Sequence, residues 1–294
     1  MTKLPANLVG RLANFRKKSR QERLESYGYR WLRWFPRIPA PVRHPSGAWW
    51  LMDNDFIGES LLKGGYEQAE MDFATRFLKP GMTVLDIGAH RGFHTLFFSK
   101  KVGRLGHVIS MEPSPVDRKR LQLHLRINFC RNVRVVDYAV GEENEKANLY
   151  AVPTNSVLNS LRPPDTDFET AATAVVVRKL DDIVSEMKVE AVDFVKLDVE
   201  GGELGVLKGA QGLLRRVPRP VILCEVLEQR TRPWGYRGSA IIEYLAQMDF
   251  AWFELSERGG LLPIPREQAE FSGNFVAVPK ESLSSITNLH APTQ

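Results

Sequence analysis

The sequence predicts an α/β fold with a doubly wound, mostly parallel sheet, because short apolar runs alternate with segments of helical periodicity from position 83 to position 279. The first apolar run, TVLDIG at 83–88, leads into a glycine-containing turn and then a helix-like segment. A later run, VDFVKLDV at 192–199, ends in acidic residues and two glycines. Strands of such a sheet present their carboxyl ends at one edge, so we expect these two ends to lie side by side.

The other elements follow in chain order. Strands are predicted at 83–88, 107–113, 133–140, 192–199, 220–228, 250–256 and 273–279, and helices at 93–102, 114–129, 204–216 and 239–248. Between the two halves of the sheet, NLYAV and AVVVRKL predict an inserted hairpin around a polar, proline-containing loop. A loop of this length in a compact domain is usually functional or disordered.

Residues 1–43 are expected to form a basic, aromatic N-terminal arm. They contain eleven Lys or Arg against Glu22 and Glu25, a net charge of +9, so the rest of the chain carries −4 to give the total of +5. This composition suits a segment that lies on an anionic membrane or on nucleic acid, and it would equally suit docking on the body. The predicted organisation is an arm at 1–43, a globular domain at 44–281 and a flexible tail at 282–294.

Composition excludes several classes of protein. Hydrophobic residues make up 43% and charged residues 26%, as in an ordinary soluble enzyme, and no apolar run approaches the roughly 18 residues of a membrane span. Cys130 and Cys224 both lie in segments predicted to be buried, so no disulfide framework is expected. We therefore expect a cytoplasmic protein, which the arm would bring to the inner face of a membrane.

The turn after the first strand has the pattern of a nucleotide-cofactor site. In VLDIGAHRGFHT, Asp86 ends the apolar run, and Gly88 and Gly92 open the turn before the helix. A dinucleotide fingerprint would require glycine where this chain has His90. One βαβ unit later, Glu112 ends the next strand, where a carboxylate can accept both hydroxyls of a ribose.

Two further motifs accompany this turn: MEPSP at 111–115, and KLDVEGGELGVLKGA at 196–210 followed by a strand that ends in CE. Together they resemble the FkbM-type S-adenosylmethionine-dependent methyltransferases, over about residues 64–279 from the GGYEQAE segment onward. The resemblance implies a seven-stranded class I, Rossmann-like sheet, S-adenosylmethionine as methyl donor, and transfer to an oxygen, commonly a hydroxyl of a sugar or polyketide. His90 is a departure, since many relatives have asparagine there.

A sulfonium cofactor should be surrounded by carboxylates and backbone amides. We expect Gly88 and the following turn at its methionine part, Glu112 at the ribose, and Asp137 to Ala139 at the adenine. Tyr66 and Glu67 either close over the cofactor or simply begin a helix. The predicted cofactor-binding residues are Tyr66, Glu67, Asp86, Gly88, His90, Gly92, Glu112, Pro113, Asp137, Ala139 and Asp198.

The acids at the end of the fourth strand are predicted to act on the acceptor. An alcohol is almost neutral at pH 7, so a base near the methyl group is useful. We expect Asp198 or Glu200 to orient or deprotonate the hydroxyl, with Glu225 and His94 as weaker candidates and Lys196 neutralising Asp198 or binding the acceptor. The structural alternative is that these acids cap the following helix.

The polar loop at 151–170 is the predicted acceptor wall, because polar side chains suit hydroxyl-rich ligands; the alternative is a disordered hairpin tip. Its candidate residues are Asn155, Ser156, Asn159, Ser160 and Arg162. Asp198 and Glu225 offer two carboxylates to a divalent cation, but the sequence shows no tight acidic cluster, and we predict no metal site.

Three functions remain open. The preferred one is an O-methyltransferase acting on a glycan, sugar or other small natural product. The second is an RNA methyltransferase that holds phosphates with the arm, which LDVEG disfavours because many base-methylating enzymes have Asn-Pro-Pro-aromatic or a cysteine nucleophile there. The third is a catalytically silent fold recruited to membranes, which the intact cofactor acids disfavour.

Overall fold

The computed structural model describes residues 20–62, 66–153, 155–264 and 270–289. The chain divides into two compact units, residues 1–66 and residues 67–294. The division does not fall after position 43 as the sequence suggested, because a strand that ends at Arg43 pairs with a second strand that begins at Trp49.

Among its described residues, the first unit contains two helices and one antiparallel hairpin. They are α1 (Arg20–Trp34), β1 (Ala40–Arg43), β2 (Trp49–Met52) and α2 (Phe56–Leu62). On α1, Tyr27, Tyr29 and Trp34 are exposed. Residues 1–19 of the predicted arm lie outside the described residues, so its membrane partner stays a prediction.

The second unit contains the central sheet, a small second sheet and eight helices among its described residues. The strands are β3 (Thr83–Ile87), β4 (His107–Met111), β5 (Val133–Val136), β6 (Ala139–Val140), β7 (Glu145–Ala151), β8 (Ala171–Arg178), β9 (Phe194–Leu197), β10 (Val221–Leu227), β11 (Phe250–Leu255), β12 (Leu261–Pro263) and β13 (Ser272–Pro279). The helices are α3 (Gln68–Phe77), α4 (Phe93–Val102), α5 (Pro115–Ile127), α6 (Leu180–Glu186), α7 (Glu203–Lys208), α8 (Gln211–Arg215), α9 (Glu228–Thr231) and α10 (Ser239–Ala246).

The central sheet confirms the predicted doubly wound fold. Its strand order is β12-β11-β13-β10-β9-β3-β4-β5, and β10, β9, β3, β4 and β5 are parallel to their neighbours in that series. β13 runs antiparallel between β10 and β11. The sheet has eight strands and not seven, because β12 adds an antiparallel edge to β11.

The inserted hairpin predicted between the two halves is present. β7 pairs antiparallel with β8, and the short β6 pairs parallel with β8, which makes a separate three-stranded sheet. Ala139, Leu149, Val175 and Val177 form its small core. This arrangement fixes both ends of the loop between β7 and β8.

Aromatic packing holds the central strands in register. Phe73, Phe98 and Phe194 are each 0% exposed, and the ring centroid of Phe194 lies 5.6 to 6.3 Å from those of Phe73, Phe77 and Phe98. All four residues of β9 are buried. Large buried aromatic side chains dominate core energetics, so the position of β9 beside β3 is strongly determined.

The segment predicted as a flexible tail is helical as far as residue 289. Lys280–Leu289 forms a 3₁₀ helix, and Ile286 and Leu289 are buried, which anchors it; residues 290–294 lie outside the described part. Among the described residues, no helix combines the length and apolar character needed to cross a membrane.

We predict that Gly88→Ala destabilises the protein much more than Gly81→Ala. Both glycines have positive φ, +82° and +93°, which costs alanine about 1–2 kcal/mol at either site. A β-carbon on Gly81 meets nothing within 4 Å, whereas one on Gly88 would lie 1.7 Å from the carbonyl oxygen of Asp198. The clash should add about 1–3 kcal/mol. Urea unfolding measures both variants, and equal losses would contradict the close approach of β3 and β9.

Candidate active site

Residues from four parallel strands meet at the carboxyl edge of the sheet. Asp86 lies in β3, Glu112 follows β4, Asp198 follows β9 and Glu225 lies near the end of β10. The backbone amide of Asp198 donates to the carbonyl of Ile87 at 3.1 Å, which joins the ends of β9 and β3. The predicted cofactor and acceptor groups therefore share one edge.

Glu112 ties the glycine turn to the next strand. Its two carboxylate oxygens each accept one backbone hydrogen bond, from His90 at 2.7 Å and from Ser114 at 2.7 Å. Burial raises the pKa of Glu112 to about 8, and the charge of Asp117 adds to the rise, while the two amide donors oppose it. Glu112 is thus a buried carboxyl that changes charge near neutral pH.

Asp86 is completely buried beneath the turn. One of its carboxylate oxygens accepts from the hydroxyl of Thr95 at 2.5 Å, and the other has no hydrogen-bond partner among the described residues. Burial raises the pKa of Asp86, and the nearby Lys196 opposes that rise. The electrostatic environment of Asp86 therefore depends on the ammonium group of Lys196.

Lys196 is a buried cation at the centre of the acidic edge. It is 4% exposed, and its Nζ lies 2.7 Å from Oδ2 of Asp198. Burial alone would lower the pKa of Lys196, but Asp198, Glu67 and Asp86 together raise it above the usual value. Lys196 therefore stays charged and neutralises Asp198.

Three carboxylates form a compact cluster next to this ion pair. One oxygen each from Asp198, Glu200 and Glu225 lie within 4.8 Å of one another. Glu200 also pairs with Nε of Arg230 at 2.9 Å. Burial and then Asp198 raise the pKa of Glu200 and of Glu225 well above the usual range.

This acidic cluster has the spacing of a cation site; the sequence indicated Asp198 and Glu225 as possible ligands, and the structure adds Glu200. Two positive charges, on Lys196 and Arg230, already contact it, which reduces its need for a metal ion. The absence of a metal stays a prediction. What the cluster provides on its own is a set of closely spaced carboxyls, of which Glu200 and Glu225 have raised pKa values.

Glu203 holds the turn that precedes α7, the place where its acidic neighbours were considered as helix caps. Its Oε1 accepts from the backbone amides of Val199 at 3.0 Å and Gly201 at 3.1 Å, at the start of α7. It is 1% exposed, and burial raises its pKa to about 7. Glu203 thus binds the backbone amides of this turn, whereas the carboxylates of Asp198 and Glu200 lie in ion pairs.

The loop after β7 is hydrogen-bonded to the cofactor turn, the turn at 88–92 that is predicted to hold the cofactor. Ser156 Oγ lies 2.8 Å from Nε2 of His90 and accepts from Nη2 of Arg91 at 2.9 Å. Asp117 accepts from Arg91 Nε at 3.1 Å and from Asn159 Nδ2 at 3.0 Å. These contacts make residues 155–160 an ordered wall beside the turn.

The far end of the same loop reaches the acidic cluster. Ser160 donates to the carbonyl oxygen of Glu200 at 2.8 Å, and the guanidinium of Arg162 lies 5.5 Å from the ring centre of Trp234. A small cavity of about 20 Å³ lies among these groups and Arg230. Polar side chains of the loop thus line the approach to Glu200.

The other predicted site residues are placed as follows. His94 is buried, with Nε2 2.9 Å from Oε2 of Glu67. Asp137 is exposed after β5, and Ala139 is buried at the start of β6. Tyr66 belongs to the first unit, and its contact with the cofactor stays a prediction.

Sequence reasoning missed several polar residues that connect the site. They are Arg91, Thr95, Asp117, Glu203, Arg230 and Trp234. Asp117 had one available signal, since Ser114 and Asp117 have the spacing of a capping box, and the amide of Asp117 does donate to Ser114 Oγ at 3.3 Å. That signal marks a helix start and gives no hint of the contact with the loop.

Comparison with known proteins identifies the family. Residues 86–252, more than half of the chain, match the family model described as Methyltransferase FkbM domain. The AMB antimetabolite synthetase AmbE of Pseudomonas aeruginosa is 22% identical over 207 residues, which are 59% of this chain and 10% of that protein. Methyltransferase 1 of Beauveria bassiana is 26% identical over 143 residues, 43% of this chain and 57% of that protein.

The chain thus spans less than two thirds of the length of either curated relative. A solved structure, Methyltransferase FkbM from Methylobacillus flagellatus, aligns with a TM-score of 0.45 and 16% identity, covering 93% of this chain and 60% of that one. The resemblance seen in the sequence motifs is confirmed by the family match: the chain belongs to the FkbM methyltransferase family, whose methyl donor is S-adenosylmethionine.

Proposed function

We propose that the protein is an S-adenosylmethionine-dependent O-methyltransferase whose acceptor is a hydroxyl of a glycan, sugar or other small natural product. The observation that carries this proposal is the cluster of Asp198, Glu200 and Glu225, within 4.8 Å of one another beside the cofactor turn. A hydroxyl needs a nearby base, and the carboxyls of Glu200 and Glu225 have raised pKa values that suit one.

The hydrogen-bond acceptors and charges near the turn suit the cofactor. An ionised carboxylate has about four acceptor positions, and Glu112 uses two of them for backbone amides. Two positions remain for the hydroxyls of the ribose. The surrounding acids, Asp86 and Asp198, suit a ligand that is cationic at sulfur.

The chemistry divides between the cofactor and the chain. The bound cofactor supplies a methyl group on a positively charged sulfur, which departs as a neutral thioether. The carboxyl cluster would hold the acceptor hydroxyl and take its proton as the oxygen bonds to the methyl carbon. Lys196 pairs with Asp198, and the raised pKa values of Glu200 and Glu225 make these two members the candidates to take the proton. Positioning of the hydroxyl supplies much of the remaining rate.

The anchored loop favours a hydroxyl-rich acceptor. Ser160 and Arg162 lie on the approach to Glu200, beside Trp234. Small polar and planar groups of this kind hydrogen-bond and pack against sugar-like molecules. The P. aeruginosa relative is named an antimetabolite synthetase, which is in line with a small natural-product acceptor.

A labelled methyl-transfer assay tests the acceptor class. The protein is incubated with methyl-labelled S-adenosylmethionine and cell extracts separated into glycan, lipid, small-molecule and RNA fractions. We expect label in an alkali-stable methyl ether of the glycan or small-molecule fraction. Label confined to RNA, with transfer that falls steeply as salt rises, would favour the second function.

The acids that follow β9 are expected to divide into catalytic and structural residues. We expect Asp198→Asn and Glu200→Gln to lower turnover by about 10²–10⁴-fold, because they alter the group that accepts or directs the proton. Glu203→Gln is the matched control, since it caps backbone amides and should cost about 1–3 kcal/mol of stability. Turnover and urea unfolding are measured for all three.

The stability and turnover of Glu203→Gln are the reference for interpreting Asp198→Asn and Glu200→Gln. If Asp198→Asn and Glu200→Gln keep near-normal turnover in folded protein, the base lies elsewhere in the site. If both lose only stability, as expected of Glu203→Gln, they are structural residues.

Cofactor affinity should depend on pH through Glu112. Its pKa in the ligand-free protein is about 8, above the usual 4.5, so ligand-free stability falls as pH rises from about 4.5 to 8. Ribose binding needs the ionised form. The affinity for S-adenosylhomocysteine should therefore rise with pH, by up to about tenfold per unit below 8.

Calorimetry at pH 6, 7 and 8 measures this dependence. Glu112→Gln should bind more weakly and lose the pH dependence, whereas Glu145→Gln, at an exposed position in β7, should behave as the wild type. An affinity of the wild type that stays constant from pH 6 to 8 would rule out ribose binding by an ionised Glu112.

A further inference from the structure

A second cavity opens at the amino ends of the parallel strands, at the end of the central sheet opposite to the cofactor turn. It has a volume of about 530 Å³ and is lined by the first residues of β3, β4 and β5 and by residues 187–191, which follow α6. A five-residue strand, roughly 15 Å long at about 3.3 Å per residue, separates it from the carboxyl edge. Neither the cofactor nor the acceptor of the proposed reaction would reach it.

The size and inner surface of this cavity suit a small organic molecule. Pockets for such ligands have volumes of about 300–1,000 Å³ and are mostly apolar with a few polar groups. The lining includes Val108 and Ile109, which are buried, and Met187 and Val189, which are partly buried. Of these four side chains, Met187 and Val189 expose apolar surface to the body of a ligand, because Val108 and Ile109 are only 1% and 5% exposed.

The rim of the cavity is cationic. Arg131, Arg134 and Lys188 are exposed there, together with His107. Within the described part of the chain, none of these four side chains has a hydrogen bond or an ion pair. Glu190 is the one acid in the lining, so three cations against one carboxylate give a local charge of +2.

This charge is not a general property of the body. Residues 44–294 carry a net charge of −4, because the excess of Lys and Arg lies in the first 43 residues. A concentration of unpaired cations around a partly apolar cavity, on an otherwise acidic body, creates a local positive field that attracts anions.

We propose that this cavity binds a small organic anion with an apolar, ring-sized body. The anionic group pairs with Arg131, Arg134 and Lys188, and the body packs against Met187 and Val189. A simple inorganic anion would leave the apolar surface uncovered, and a neutral ring compound would leave the cations without a partner. The site is separate from methyl transfer, and its test does not depend on that activity.

Calorimetry with 1-naphthyl phosphate tests the proposal on the full chain, with the cofactor edge saturated by S-adenosylhomocysteine. Inorganic phosphate and 1-naphthol are the comparison probes, since each has one half of the proposed ligand. We expect 1-naphthyl phosphate to bind at least about tenfold more tightly than either.

The variant Arg131→Gln/Arg134→Gln identifies the location. Loss of two charge-assisted contacts should weaken the binding of 1-naphthyl phosphate by at least about tenfold. The melting temperature and the affinity for S-adenosylhomocysteine should stay unchanged. Arg258→Gln is the matched control, because Arg258 is an exposed arginine outside the cavity, and it should bind as the wild type.

Three outcomes would overturn the proposal. They are no detectable binding of 1-naphthyl phosphate at about 1 mM, an affinity in the double variant equal to that of the wild type, or an affinity no greater than that of inorganic phosphate. The last result would indicate a surface charge effect without a site.

Discussion

The buried ammonium of Lys196 is the interaction on which the acidic edge depends. It lies in β9 opposite Asp86 of β3 in the sheet register, and it contacts Asp198 directly. Removing a charged group from water costs several kcal/mol unless a partner of opposite charge compensates it. Here the compensation is mutual, because the same ammonium opposes the rise in the pKa of the buried Asp86, while Asp198 and Asp86 help to raise the pKa of Lys196.

A second buried acid connects the two sides of the candidate site. Asp117 is 1% exposed and accepts from Ser114, Arg91 and Asn159. Through Arg91 it holds the cofactor turn, and through Asn159 it holds the loop that approaches Glu200. The position of the proposed acceptor wall is therefore coupled to the conformation of the turn, so that ordering of one favours ordering of the other.

The sequence predicted the parts of the fold that repeat a local pattern. Alternating apolar and helical segments gave the strand positions, and the spacing around Gly88 gave the turn. The edge strand β12 was missed because Leu261–Pro263 is only three residues long and ends in proline. The 3₁₀ helix at Lys280–Leu289 was missed because its sequence is mostly polar and its anchoring depends on two apolar residues, Ile286 and Leu289.

The site was predicted less completely than the fold, for a physical reason. Asp86, Glu112 and Asp198 follow from strand ends, whose position in a parallel sheet is known in advance. The contacts of Arg91 with Ser156 and of Arg230 with Glu200 join residues that are far apart along the chain and follow no periodicity. Only the folded structure brings such pairs together.

Backbone conformation distinguishes the acids of FVKLDVEGGE from ordinary helix caps. Glu200 has φ +57°, a left-handed conformation that a non-glycine residue adopts only at a cost. Two other residues at this edge share it, His90 at +49° and Glu67 at +48°. A strained residue persists where the surrounding structure fixes it, and such residues concentrate at functional sites.

Each of these three residues uses the conformation to make a specific contact. His90 directs its amide to Glu112, Glu67 directs its carboxylate to His94, and Glu200 directs its carboxylate to Arg230. Binding the amides of this turn does not require the strain, because Glu203 accepts from them while it lies at a helical position. The strain at Glu200 is better explained by the need to hold its carboxylate in the cluster with Asp198 and Glu225.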